Sequence, residues 1–150
     1  MTDFNYNDYL IPYKFEKEFD TTEKSQKDLL LNSVTFRKAN TSSKSICNHD
    51  LAIVGIPENR NSDGNGSDKA PDAIRSKLYR LFSPGKLNLI DLGNLKKGKT
   101  VNDTYTALTE VIYDLLLNES AVIILGGSKD LIIPVCKSYE KGKKNFSLCV

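Results

Sequence analysis

The stretch best suited to chemistry is an apolar run that stops at two glycines and hands over to a hydroxyl, an ammonium and a carboxylate: Ala121-Val-Ile-Ile-Leu-Gly-Gly-Ser-Lys-Asp130. Five apolar residues, three of them β-branched, read as a strand covered on both faces, as in a parallel sheet. Gly126 and Gly127 permit positive φ and close backbone approach at the strand's carboxyl end, where open α/β sheets bind ligands. Ser128, Lys129 and Asp130 then offer a two-way hydroxyl, a cation and an anion within three residues. Gly126 to Asp130 are therefore ligand-binding candidates. The glycine pair is also suited to a backbone-amide nest for a nucleotide or other anion.

A second candidate is the polar stretch Glu58-Asn-Arg-Asn-Ser-Asp-Gly-Asn-Gly-Ser-Asp-Lys69, rich in turn-forming residues, with Asn65 and Gly66 as possible ligand contacts. Asn59, Asn61, Asp63 and Gly64 imitate the opening of a calcium loop, but the position needing a bidentate Glu is Ala70. A phosphate loop fails too, because Lys69 is followed by Ala70-Pro71 rather than Ser or Thr. Two readings stand: a loop over the ligand-binding edge of a sheet, or a plain surface connection.

Metal ligands are scarce. His49 is the one histidine, and Cys47, Cys136 and Cys149 have no paired-cysteine spacing, so neither a zinc site nor a disulfide framework is indicated. No metal ligand and no bound cofactor is expected of this chain.

The elements that position these residues follow from periodicity and punctuation. Residues 1 to about 21 show no clear period and read as an arm that packs on a neighbour or frays. A helix is plausible from Thr22, with Leu29, Leu30, Leu31 and Val34 on its apolar side, followed by a loop over 40–45. Leu51-Ala-Ile-Val-Gly-Ile56 is a strand stopped by Pro57. Pro71 at a first helical position predicts a helix to Phe82 with Ile74, Leu78 and Leu81 facing inward. Leu87 to Asp91 reads as a strand and 93–100 as the loop after it. A helix from Asn102 or Asp103 carries Leu108, Val111, Ile112, Leu115 and Leu116 on one face. After 121–125 a helix runs from Asp130 to Lys141, with Pro134 early enough to be tolerated, and Phe146 to Val150 reads as a fourth strand. Such alternation indicates an α/β fold with a parallel sheet. A last strand with no covering helix suggests the front part of a longer domain.

Composition excludes several classes. The 150 residues are 39% hydrophobic and 27% charged with a net charge of +2, which suits one soluble domain and not a nucleic-acid binder. Lys96-Lys97-Gly98-Lys99 and Lys141-Gly142-Lys143-Lys144 read as solvated loops. No signal segment or membrane span is present, so a cytoplasmic location is expected.

Four motifs in order carry a family resemblance: Ile53-Val-Gly-Ile-Pro57, Ala70-Pro-Asp-Ala-Ile-Arg75, Asp91-Leu-Gly93 and Leu125-Gly-Gly-Ser-Lys-Asp-Leu-Ile-Ile-Pro-Val135. Their order and spacing resemble the ureohydrolase superfamily of arginases, agmatinases and formimidoylglutamases, over about Leu51 to Val150. The resemblance implies a three-layer α/β/α domain, with residues 1–50 as arm, helix and loop and 51–150 as the first four strands of an arginase-like domain. It implies two Mn²⁺ ions that activate a hydroxide against a guanidinium or formimino carbon, and self-association into oligomers. In that family Asp-His-Ser follows the glycine pair and the His binds manganese. Here Ser128, Lys129 and Asp130 stand in those places, and a lysine ammonium has three donors and no lone pair for a cation.

For Lys129, either the ammonium sits near a metal's place among carboxylates or grips an anion, or it caps the turn, pairs with an acid and faces solvent. The expectation is a ureohydrolase-like protein with a degenerate manganese site that acts through binding or assembly. A small amidine or guanidino ligand is expected only if the site works. The alternative is an Mn-dependent hydrolase of guanidino or formimino C–N bonds, completed by residues beyond 150.

Overall fold

Alternation along one strand decides which helices cover which face of the sheet. In the computed structural model, which describes residues 4–14, 28–62, 66–83, 85 and 87–147, β3 (Leu51–Gly55) lies at the centre. Ala52 and Val54, with Ile56 just beyond the strand, join one buried cluster, while Ile53 joins a second on the opposite face.

Four strands run parallel. β3 pairs with β4 (Leu89–Leu95) on one side and β5 (Ala121–Leu125) on the other, and β4 also pairs with β2 (Val34–Phe36). β1 (Leu10–Ile11) adds an antiparallel bridge to Leu95 and Asn94. β3 and β5 stay in step from Leu51↔Ala121 to Gly55↔Leu125, and the amide of Ile56 reaches the Leu125 carbonyl at 2.9 Å. The chain therefore leaves both strands at the same level.

α4 (Val101–Leu117) covers one face with α5 (Ile132–Lys141). Thr100 and Asp103 close a reciprocal cap at its start, with bonds of 3.1 and 2.8 Å. Leu108, Val111, Ile112 and Leu115 are buried as their spacing predicts, each contributing about 1.5–3 kcal/mol of burial. α3 (Ala70–Leu78) lies on the other face, and its following residue Tyr79 joins the cluster of Ile53, Leu89 and Leu125. Helices on both sides of a mainly parallel sheet make the three-layer α/β/α arrangement.

Several expectations are corrected. Within the stretch read as a helix from Thr22, the described residues form a 3-10 turn at Leu30–Asn32 and then β2; residues 22–27 lie outside the described part. Pairing of β-branched Val34 and Thr35 with β4 overrides the helical spacing of the leucines. The described part of the arm holds a helical turn, α1 (Tyr6–Tyr9), whose Tyr6 enters the core and donates to Asp114 at 2.5 Å. Arg37, 2% exposed, ties that arm to β4 by donating to the carbonyls of Leu92 and Leu10 and to Asn7. The loop expected at 40–45 includes the start of a one-turn helix, α2 (Ser43–Ile46), capped by Ser42.

α3 ends four residues before the expected Phe82, and its inward face is Pro71 and Arg75, whereas Ile74 and Leu81 are exposed. β4 runs on to Leu95 through the residues expected to begin a loop. β5 is the sheet's edge among the described residues, so Ala121 and Ile123 are exposed rather than covered. Asn145 to Ser147 are irregular; the rest of the expected fourth strand, 148–150, lies outside the described part.

Candidate functional site

Gly126 and Gly127 take φ of 74° and 89°, the left-handed values that a glycine pair allows. Both positions are also crowded. A Cβ on Gly126 would lie 2.6 Å from Pro71 Cδ, and one on Gly127 would meet the Leu131 side chain and, at 3.1 Å, the Ile56 carbonyl oxygen. The start of α3 thus backs directly onto the turn.

What holds α3 there is a buried ion pair. Arg75 donates through Nε at 2.7 Å and Nη2 at 2.9 Å to the two carboxylate oxygens of Asp91, and neither side chain has exposed surface. Tyr79 also donates to Asp91, as does the amide of Gly93 at 2.8 Å. Burial works to lower the Arg75 pKa, but hydrogen bonding and attraction from Asp91 outweigh it and leave it raised. Burial first, and then the Asp91 charge, push the Tyr79 phenol far up. Gly55 makes room, since a Cβ there would collide with Asn94 and lie 2.6 Å from Arg75 Nη1.

The loop after β3 is tied down by a second pair. Glu58 is fully buried, and Arg60 donates to it through Nε at 2.9 Å and Nη2 at 2.5 Å. The same guanidinium reaches the carbonyls of Gly98, Lys99 and Thr100 and the Thr104 hydroxyl, bracing the loop against the start of α4. Hydrogen bonding from Arg60 holds the Glu58 carboxyl at about 2. Lys97, expected in a solvated loop, donates to Asn59 at 2.9 Å, and Lys96 to the Asn7 carbonyl at 2.6 Å.

These braces bring Asn61 to the turn. Its Nδ2 donates to Asp130 Oδ2 at 2.8 Å and to the Tyr105 hydroxyl at 3.1 Å, while Tyr105 donates to the same carboxylate oxygen. Among the described residues Asp130 Oδ1 is buried without a partner, as are the hydroxyls of Ser128 and Ser67. Such orphaned oxygens are uncommon in native structures and call for a donor. Ser128 is 7% exposed, whereas Lys129 is exposed and forms no ion pair among the described residues.

Among the sequence candidates, Gly126, Gly127, Ser128 and Asp130 line one turn, and Lys129 projects from it. Gly66 is exposed with nothing within 4 Å of an added Cβ, and Asn65 lies outside the described residues. Sequence reasoning placed Glu58 and Asn61 in a candidate loop without giving either a part at the turn, and missed Tyr105. Their signal was faint: Glu58 follows the strand-ending Pro57, but Tyr105 sits on a helix read for its apolar face. A groove of about 720 Å³ lined by Asn32, Ser33, Thr35, Ser83, Leu87 and Asn88 lies at the opposite, amino ends of the strands.

The donor set at the turn does not fit a manganese pair. It offers one carboxylate already engaged by two donors, one hydroxyl and an ammonium, and no three His, Cys, Asp or Glu side chains gather as a metal-holding group among the described residues.

The structure is similar to an arginase superfamily protein from Trypanosoma cruzi, at 24% identity and a TM-score of 0.56, covering 62% of this chain and 35% of that one. It is also similar to a candidate agmatinase from Clostridium difficile, at 19% identity and a TM-score of 0.56, covering 64% of this chain and 39% of that one. The chain thus spans between a third and two fifths of the length of these two, and at such identities the likeness shows the fold. No curated protein matches. The model of the arginase family matches residues 49–149, the same span that holds β3, the Arg75–Asp91 pair and the glycine turn, and the chain belongs to that family.

Proposed function

We propose that this chain is a ureohydrolase-fold protein whose manganese site has been lost at the β5 turn, and that it acts through binding or assembly rather than hydrolysis. The observation that carries this reading is the chemistry of Ser128-Lys129-Asp130. An exposed ammonium stands where the family resemblance implies a manganese-ligating histidine. Asp130, the carboxylate of that turn, accepts from Tyr105 and Asn61 through Oδ2. A cation at this turn would face electrostatic repulsion from Lys129 and would find Asp130 Oδ2 already engaged by two donors, with Oδ1 alone left to meet it. A cytoplasmic location accompanies the reading, on the three unpatterned cysteines.

A second reading keeps the site alive: a Mn-dependent hydrolase of guanidino or formimino C–N bonds, completed by residues beyond 150. The buried Asp130 Oδ1, without a partner among the described residues, favours it, because a ligand N–H would satisfy that oxygen.

Metal analysis after equilibration with Mn²⁺ and gel filtration separates them. The first reading expects substoichiometric manganese, with Lys129→His raising the bound fraction. Stoichiometric manganese in the unaltered protein, with release of urea or formamide from guanidino or formimino substrates, would overturn it.

A further inference from the structure

The groove at the amino ends of the strands has walls that the fold fastens in place. Its lining includes Asp28 and Gly85 beside the residues already named. Residues 28–33 are tied to the chain at the end of α3 by backbone bonds from Leu31 to Tyr79, Leu30 to Leu81 and Ser83 to Asp28, at 3.1, 2.8 and 2.7 Å. Asn88 is held from the other side. Its carbonyl accepts from the amides of Asp50 and Leu51 at 3.1 and 3.3 Å, and its side chain donates to the Asn48 carbonyl at 2.9 Å.

Two hydroxyls set the polarity of the groove. Ser83, 8% exposed, donates to the Gly85 carbonyl at 2.6 Å, which engages its one proton. The 3.0 Å contact between the two hydroxyls therefore runs from Ser33 to Ser83, and Ser33 Oγ is left with lone pairs and no proton to give. Asn88 is set in the same sense, because the bond from Nδ2 to Asn48 orients its amide and leaves Oδ1 as an acceptor. Asp28 is exposed and forms no ion pair among the described residues. Thr35, exposed on β2, adds a hydroxyl that both donates and accepts.

Acceptors predominate, so a ligand must bring several donors. The described lining holds no lysine, arginine or histidine, which leaves an anion without a counter-charge. An ammonium would meet one exposed carboxylate, and exposed pairs of that kind contribute little. Neighbouring neutral hydroxyls bring donors and can also accept from Thr35, while Leu87 offers aliphatic surface to the C–H face of a ring.

We propose that this groove binds a small neutral polyol of the monosaccharide kind. One ligand hydroxyl donates to Ser33 Oγ and extends a directed chain through Ser83 to the Gly85 carbonyl, in which each bond polarises the next. Neighbouring hydroxyls are taken by Asp28 and Thr35. The volume of about 720 Å³ lies within the range of small-ligand sites. Asn32, Thr35, Leu87 and Asn88 are exposed, so part of the ligand stays hydrated and the dissociation constant falls in the millimolar range. The site lies at the ends of the strands away from the glycine turn, so manganese content does not bear on it.

Amide chemical-shift titration of the 150-residue chain with glucose, ribose and myo-inositol tests the proposal, with n-butylamine as the charged control. At least one polyol should saturate, with shifts centred on Ser33, Thr35, Leu87 and Asn88. Ser33→Ala and Thr35→Val should each weaken that binding by about tenfold, the loss of one hydrogen bond. Thr35→Val keeps the β-branched shape at an exposed position, so its effect is not one of folding. Failure of all three polyols to saturate, shifts centred elsewhere, tighter binding of n-butylamine that salt abolishes, or polyol affinity unchanged in both variants would each overturn the proposal.

Discussion

Replacing Asp91 with asparagine tests what positions the glycine turn. The side chain keeps its shape and loses its charge, which leaves the Arg75 guanidinium, without exposed surface, facing an amide. Asp91 accepts from Arg75 Nε, Arg75 Nη2, Tyr79 and the Gly93 amide. Removing one partner of a buried pair costs about 3–5 kcal/mol, because the remaining charge stays desolvated. For a chain of this size that lowers Tm by about 6–20 °C, at roughly 2–4 °C per kcal/mol. With a urea m-value of roughly 2 kcal/mol/M the midpoint moves by about 1.5–2.5 M.

The companion variant Arg75→Met with Asp91→Leu removes both charges. It should cost less than the two single changes added together, by about 2 kcal/mol or more if the pair acts as a unit. It will not recover everything. Tyr79, Asn94 and the Gly93 backbone lose partners, at about 1–3 kcal/mol for each group left buried and unpaired. Chemical denaturation of Asp91→Asn and of the four proteins of the Arg75→Met, Asp91→Leu cycle is the assay. An Asp91→Asn cost below about 1 kcal/mol, or additivity within about 0.5 kcal/mol, would refute the claim that this pair anchors α3.

Glu58 gives a pH test whose sign is fixed by its depressed carboxyl, about 2 against an ordinary 4.5. Its contribution is full above pH 4.5 and is lost as pH falls toward 2, a loss of up to about 3 kcal/mol that Glu58→Gln should abolish in urea titrations across that window. Gly126→Ala should destabilise by about 2 kcal/mol or more, joining left-handed strain of about 1–2 kcal/mol to the contact with Pro71. Gly66→Ala, at φ 102° with open space around it, should show the strain alone, and thermal melts of the two variants give the difference.

How much of this was legible in the sequence differs by element. The β3 and β5 strands, the α4 face and the family could be read directly, because buried parallel strands are runs of apolar residues and an amphipathic helix repeats at three and four. The helix expected from Thr22 does not extend over the described end of that stretch: three leucines in a row suit either period, and pairing with β4 decided the matter for Val34 to Phe36. Ile74 and Leu81 misled in the same way. The inward face of α3 is set by where Asp91 accepts Arg75, and a charged residue at a core position is invisible to a rule that counts apolar ones.

The site divides along the same line. By itself the sequence determined that a strand ends in Gly126-Gly127 and that an ammonium, not an imidazole, follows Ser128, since residue type and left-handed glycine geometry are local properties. Only the tertiary structure decided that Lys129 is exposed, that Asp130 is held by Tyr105 and Asn61, and that Glu58 lies buried beneath Arg60. Those partners are 25, 69 and 2 residues apart in the chain. The first two contacts exist because β3 and β5 leave the sheet at one level and α4 packs across it. The short-range third was hidden for another reason: burial of a carboxylate is set by what the fold stacks over it, here the start of α4, and no local pattern records that.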